Sequence, residues 1–186
     1  MTNTINLELS DKYSDLEGIV ALQRLNHSNA VASELWETEG FVTMEYTVEE
    51  LQQMCRGYRH VIAKSDGVVV GYALVMLKES RTAFPFLDDM FQQAEAGALD
   101  GNSIREKRYF VMGQVCVDQA FRGQGVFRKL YQTLREQMRA DFDLVVTEVS
   151  IKNTRSMRAH RQVGFRDIKE EHEQSSEWRV IAWDWN

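Results

Sequence analysis

The segment Arg122-Gly123-Gln124-Gly125-Val126-Phe127 constrains this chain most, because it joins a run that reads as a strand to a run that reads as a helix. Tyr109 to Val117 is rich in Val, Phe, Met and Cys, the composition of a buried strand. From Val126 onward, Val126, Leu130, Leu134 and Met138 recur at i, i+4, i+8 and i+12 and share one helical face. Gly123 and Gly125 let the backbone turn sharply, aiming several N–H groups at one point, and a helix N-terminus adds partial positive charge there. Two readings stand on these residues alone: a tight connection, or an anion site that fits a pyrophosphate. A dinucleotide fingerprint needs a third glycine, and a P-loop needs Gly-Lys-Ser or Gly-Lys-Thr; neither is present.

The chain has 186 residues, a length that predicts one domain over residues 1–186. Its formal net charge of −6 argues against a nucleic-acid partner, whose phosphates require a basic surface. No apolar run reaches the roughly 20 residues that span a bilayer, and Met1 to Asn6 lacks the shape of a signal peptide, so the expected location is cytoplasmic, with no membrane partner. Cys55 and Cys116 lack Cys-x-x-Cys spacing, and His27, His60, His160 and His172 lack ligand spacing, so neither a disulfide framework nor a metal site is expected.

Along the chain, Ile5 to Leu9 alternates as a strand, and Asp11 to Leu25 carries helical spacing. Thr47 and Glu50 form a capping box that starts a helix running to Arg56. His60 to Ala63 and Val68 to Leu77 read as a hairpin turned by Ser65-Asp66-Gly67. Lys78 to Lys107 interrupts the pattern: it holds the sole proline, Pro85, a short helix from Phe86 to Ala96, and the loop-like Asp100-Gly101-Asn102-Ser103. A connection this long is expected to act as a lid. Leu144 to Val149 is a further strand, and Asn153 caps a helix from Thr154 to Val163 that stops at Gly164. Arg166 to His172 and Trp178 to Trp185 read as a closing antiparallel pair, whose Trp178, Trp183 and Trp185 are either core or a homodimer edge. The order gives an α/β or α+β fold with a mixed sheet.

From about Val111 to Phe165 in motif, and across nearly the whole length in element order, the chain resembles the GNAT superfamily of acyl-CoA-dependent N-acetyltransferases. The signature of Gln or Arg, two residues, Gly, one residue, then Gly or Ala falls on Arg122, Gly125 and Phe127, and only Phe127 departs from it. Ribosomal-protein alanine acetyltransferases of that superfamily space Glu, Asn, Tyr and Gly-Phe as Glu148, Asn153, His160 and Gly164-Phe165 are spaced here, with His160 in place of the tyrosine. The resemblance implies a mostly antiparallel sheet of six to seven strands, splayed between the fourth and fifth and flanked by helices on both faces. It implies that Arg122, Gly123, Gln124, Gly125, Val126 and Phe127 hold the pyrophosphate of acetyl-CoA. The backbone of Val115, Cys116 and Val117 then pairs with the pantetheine arm, and Asn153 holds the same arm.

Acetyl transfer to an amine needs a base, a polarised carbonyl and a proton for the departing thiolate. Glu148 lies among valines, where a raised pKa suits a general base; the alternatives are a structural ion pair or a solvent-facing side chain. His160 stands where the family's tyrosine donates to sulfur, and an imidazolium can also donate, whereas a His on an apolar face is commonly a core residue. A backbone N–H near Val117 would meet the oxyanion. Cys116 as an acyl carrier is the weaker reading beside a small buried strand residue.

From Glu34 to Glu50 the chain carries six glutamates and no Lys or Arg, interleaved with Trp36, Phe41 and Tyr46. This stretch reads as an acceptor site with an apolar or cation–π wall, or as a solvated acidic face. The expected activity is acetyl transfer from acetyl-CoA to a primary amine (a small amine, an amino-acid-like molecule or a peptide N-terminus) by direct attack in a ternary complex. Competing readings are a non-catalytic acyl-CoA sensor of the same fold and a structural domain without CoA.

Overall fold

Asp-Gly in a two-residue turn is the strongest local constraint in the first half of the chain, since both residues must take positive φ. In the computed structural model, which describes residues 4–32, 36, 40–168 and 177–185, Asp66 has φ 50° and Gly67 φ 82°. That turn joins β2 (Val61–Ser65) to β3 (Val68–Met76) as an antiparallel hairpin, to which β1 (Ile5–Leu9) adds along β2. The same chemistry recurs where a loop was expected. Asp100 (φ 52°) and Gly101 (φ 82°) turn a second hairpin between β4 (Ala98–Leu99) and β5 (Asn102–Ser103).

The main sheet is completed by β6 (Tyr109–Val117), β7 (Leu144–Ser150), β8 (Arg166–Asp167) and β9 (Trp178–Asp184), in the order β1-β2-β3-β6-β7-β9-β8. Only β6 and β7 run parallel, so the seven-stranded sheet is mostly antiparallel, as expected. The expected closing strand from Arg166 pairs with β9 at Arg166 and Asp167, the Ile168 N–H still donates to Val180 O at 3.3 Å, and positions 169–172 lie outside the described residues.

Helices cover both faces. On one lie α1 (Tyr13–Asn26), α2 (Val48–Cys55) and α3 (Asp88–Ala96), packing Leu16, Ile19, Leu51, Met54 and Phe91 against Tyr72, Leu74, Val111 and Val146. On the other lie α4 (Val126–Met138) and α5 (Thr154–Val163). The spacing expected for α4 is observed: Val126, Leu130, Leu134 and Met138 are all buried, each such side chain stabilising by about 1.5–3 kcal/mol. α1 starts two residues later than the spacing alone indicates, because the Asp15 carboxylate accepts the Lys12 backbone N–H at 3.0 Å. Between Lys78 and Lys107 the chain is no loose lid: Phe84, Phe91 and Ile104 are fully buried, so the segment is a wall of the core. Trp183 and Trp185 pack on each other, and their rings meet Phe165 and Phe110 respectively inside the chain. Among the described residues no helix is long and apolar enough to cross a membrane.

One irregularity positions the site. Pairing of β3 with β6 runs Ala73 with Val115 and then Val75 with Met112, so β6 carries one extra residue at Gly113-Gln114. Such a bulge shifts side-chain alternation by one. Before it, Tyr109 and Val111 face the α1 side; after it, Cys116 does. The bulged strand bends, and pairing of β6 with β7 stops after Tyr109, Phe110 and Val111. Beyond that point the two strands splay.

His60, just before β2, is fully buried; its Nδ1 accepts the Val75 N–H at 3.1 Å, so Nε2 carries the proton donated to Leu51 O at 2.9 Å. Burial lowers its pKa from 6.5 to about 4. The unfolded chain therefore binds the extra proton first, and stability present above pH 6.5 is lost as pH falls toward 4. Urea unfolding at stepped pH should show a loss approaching about 3 kcal/mol from this group, and His60→Asn should flatten the slope.

Candidate functional site

The splay opens two adjoining cavities that share lining residues. Thr147 Oγ1 donates to Met112 O at 3.0 Å, filling the first gap between β6 and β7. Buried Gln114 faces the other way: its Nε2 donates to Met44 O at 2.7 Å and its Oε1 accepts from Tyr72 Oη at 2.6 Å. A larger cleft of about 720 Å³ runs between the α4 N-terminus and α5, and a slot of about 90 Å³ lies beyond the splay. Phe41, Val42, Val115, Asn153 and Ser156 line both.

In the larger cleft, Gly123 (φ 78°) and Gly125 (φ 76°) adopt the left-handed conformation, and Gly125 is the N-cap of α4. An added Cβ would meet nothing within 4 Å at either position, so backbone conformation and not space requires glycine. Arg122 braces the turn, its Nε donating to Val117 O at 2.9 Å and its Nη2 to Asn26 Oδ1 at 2.7 Å. Gln124 Nε2 donates to Ala120 O at 3.1 Å and is a brace as well. Val115, Cys116, Val117 and Val126 line the cleft as expected of their positions.

The Phe127 ring turns between α4 and α5, with its centroid 5.1 Å from both Tyr131 and His160, and it still lines the cleft. Close approach of α4 to the sheet comes instead from Gly71, where a Cβ would stand 3.3 Å from Val126 and 3.4 Å from Leu130. Sequence reasoning missed Arg155 and Arg158, which line the same cleft from α5. With Arg122 and Arg128 they make four cationic side chains, and among the described residues no Asp or Glu lines the cleft. Their spacing of three on a helix already capped by Asn153 was the available signal.

In the slot, Glu148 is pushed up to about 7 by burial and secondarily by the charge of Asp89. Tyr46 stands in the same slot, fully buried, its backbone clamped by Gln23, whose Oε1 accepts Tyr46 N–H at 2.9 Å and whose Nε2 donates to Tyr46 O at 3.3 Å. The Tyr46 hydroxyl has no hydrogen-bond partner among the described residues, and burial, then the Glu148 charge, raise its pKa. An unsatisfied buried hydroxyl is a place for a ligand atom. Phe41 lines both cavities, whereas Trp36 lines neither: it packs on Phe41 at 4.7 Å and donates from Nε1 to Val31 O at 3.0 Å. Glu34, Glu37 and Glu39 lie outside the described residues.

One expectation changes, that for His160, while Cys116 keeps the favoured reading of a small buried strand residue. His160 is fully buried, its Nε2 2.7 Å from Tyr131 Oη and its Nδ1 2.8 Å from Ser156 O. Burial lowers its pKa to about 4. A neutral imidazole with both nitrogens engaged is not the expected imidazolium acid. Burial also pushes the Cys116 thiol up to about 12, so no thiolate forms there to carry an acyl group. Asn153 keeps its capping role, Oδ1 accepting Ser156 N–H at 3.1 Å, and its Nδ2 donates to Phe41 O at 3.1 Å. It therefore ties the Phe41 segment to α5. Among the described residues no three His, Cys, Asp or Glu side chains gather to hold a metal ion.

A glycine turn at a helix N-terminus beside a splayed sheet agrees with the sequence comparisons. The chain belongs to the acetyltransferase (GNAT) family, whose sequence profile matches residues 28–165. A sequence search among curated proteins finds no match. Similar solved structures include the ribosomal-protein-S18-alanine N-acetyltransferase from Escherichia coli, at 12% identity over 97% of this chain and 94% of that chain, TM-score 0.60. Ard1 from Thermoplasma volcanium is similar at 15% identity over 97% of each chain, TM-score 0.62. The putative acetyltransferase yncA from Salmonella typhimurium, solved with its cofactor acetyl-CoA, is similar at 17% identity over 98% of this chain and 95% of that chain, TM-score 0.58. At these identities the likeness establishes the fold.

His160→Leu should leave Tyr131 Oη without its acceptor and destabilise the protein by about 1–3 kcal/mol in chemical denaturation. Adding Tyr131→Phe should recover part of that loss, since removing both partners is milder than orphaning one.

Proposed function

We propose that the protein transfers an acetyl group from acetyl-CoA to a primary amine within a ternary complex. The observation that carries this reading is the junction of a cleft lined by four arginines, and by no Asp or Glu among the described residues, with a slot holding Glu148. The residues present fit CoA. Backbone N–H groups of Gly123, Gly125 and Val126 at the start of α4 suit the pyrophosphate, and Arg128, Arg155 and Arg158 supply positive charge around it. The edge of β6 at Val115, Cys116 and Val117 that faces away from β3 has no strand partner among the described residues, so it can receive the pantetheine arm as an added strand would pair. When bound, acetyl-CoA supplies the activated acyl group.

The chain's own residues then do three things. Glu148, with a pKa of about 7, takes the proton of the incoming ammonium and leaves a neutral nucleophile. Tyr46 Oη accepts a second N–H of the same nitrogen, and two N–H groups held at once favour a primary amine. A backbone N–H of β6 near Val117 meets the developing oxyanion. Met44, Leu87, Met90 and Trp178 wall the slot, which suits an apolar group next to the amine. A small amine, an amino-acid-like molecule and a peptide N-terminus all meet that description, and Phe41 offers an aromatic face to the cation. The same reading takes residues 1–186 as one domain acting in the cytoplasm.

A second reading, a non-catalytic acyl-CoA sensor, draws on the burial of His160 where the family's tyrosine would donate. Thermal stabilisation by CoA without release of CoA thiol across an amine panel would select it.

If Glu148 is the base, kcat/KM should rise with pH through an inflection near 7, because the carboxylate form is populated above it. Glu148→Gln should lower kcat roughly 10²- to 10⁴-fold and remove that inflection; an unchanged profile would refute the assignment. Arg155→Ala with Arg158→Ala should weaken CoA binding roughly tenfold or more by calorimetry, with the difference shrinking as salt rises.

A further inference from the structure

Departure of a thiolate calls for a hydrogen-bond donor, and the burial of His160 leaves that position open. The donor must reach the junction of the cleft and the slot. Five residues line both. Phe41, Val42 and Val115 have no side-chain donor. Asn153 has both functional atoms engaged, on the Ser156 N–H and on Phe41 O. Ser156, on the first turn of α5, brings the remaining side-chain O–H.

The direction of that O–H follows from the histidine behind it. His160 Nδ1 lies 2.8 Å from the Ser156 carbonyl oxygen, which can only accept, so Nδ1 carries the ring proton. Nε2 is then bare and accepts the Tyr131 hydroxyl proton at 2.7 Å. Nδ1 also lies 3.3 Å from Ser156 Oγ, so on the imidazole side that oxygen is an acceptor and its own hydrogen points elsewhere. Among the described residues no protein group accepts it. The fold thus holds a hydroxyl whose lone pair faces His160 and whose proton is left for a group in the cavities that Ser156 lines.

We propose that Ser156 is the donor to the leaving sulfur and that Tyr131 and His160 fix its orientation. This rests on the acetyltransferase reading. As the C–N bond forms and the C–S bond breaks, Ser156 passes its proton to sulfur and takes the surplus proton of the newly acylated nitrogen. The hydroxyl is regenerated and no outside acid is consumed. His160 is a positioning residue in this scheme, acting through the serine.

The test reads the thiol of bound CoA, without turnover. Titration of the CoA complex by thiolate ultraviolet absorbance should show the bound thiol ionising at lower pH in the wild type than in free CoA. Ser156→Ala should shift that titration up by roughly one pH unit, a tenfold change in thiolate population, while CoA affinity at pH 6 stays the same. Ser156→Thr, which keeps the hydroxyl, should titrate like the wild type. Steady-state kinetics of Ser156→Ala should show lower kcat with an unchanged amine KM. Normal CoA binding with a wild-type thiol titrating as in free CoA, or with a titration that Ser156→Ala leaves in place, would overturn the proposal alone. Failure of the wild type to bind CoA would overturn the acetyltransferase reading and this proposal together.

Discussion

The extra residue at Gly113-Gln114 in β6 is the constraint on which the rest of the site depends. A parallel pair joined through α4 would otherwise run side by side to the end of both strands. The bulge bends β6 away after three paired residues, and the alternation of its side chains changes phase at the same place. Three consequences follow. On its β7 side, the β6 edge at Val115 to Val117 is left without a strand partner among the described residues, the turn at Gly125 delivers the N-terminus of α4 to the mouth of the opening, and Glu148, paired with β9 but not with β6, lines the slot. An opened sheet is costly unless its exposed polar groups find partners, and Thr147 on Met112 O and Gln114 on Met44 O supply two of them.

Residues 40–46 contain little regular structure, yet they wall both cavities. Side chains from helices hold them in place. Gln23 of α1 engages both backbone atoms of Tyr46, and Asn153 at the start of α5 engages Phe41 O. Buried hydrogen bonds of this sort give an irregular segment a fixed path without a ladder, because each removes a backbone group that would otherwise need water. The Tyr46 hydroxyl, without a partner among the described residues, stands out against that background.

What could be read from the sequence had short range or strong periodicity. The apolar face of α4, the Asp66-Gly67 turn, the capping box at Thr47 and the cap at Asn153 depend on residues within about a dozen positions of one another. Asp100-Gly101 carried the same turn signal as Asp66-Gly67, but its strands are two residues each, too short to show alternation. The β6 bulge left no mark, since Gly113-Gln114 sits inside an apolar run that reads as a continuous strand. His160 illustrates a harder limit. Its helical position was legible, but its role depends on Tyr131, 29 residues earlier, and burial by both helices decides its protonation. Asn153 divides in the same way: its cap is local, and its bond to Phe41 spans 112 residues.

The distribution of charge explains how one small site can serve two opposite partners. The chain is acidic overall, yet among the described residues the larger cleft is lined by Arg122, Arg128, Arg155 and Arg158 and by no carboxylate, while the slot holds Glu148. The boundary between them is uncharged, made of Phe41, Val42, Val115, Asn153 and Ser156. That boundary matters to the chemistry. An arginine beside Glu148 would stabilise its carboxylate and pull the pKa down, leaving too weak a base for an ammonium. The influences on Glu148 are burial and the carboxylate of Asp89, both of which raise it, and among the described residues no cation offsets them. Separation of the arginines from the slot by a neutral junction therefore allows the anion site and a near-neutral base to lie side by side in the same splayed sheet.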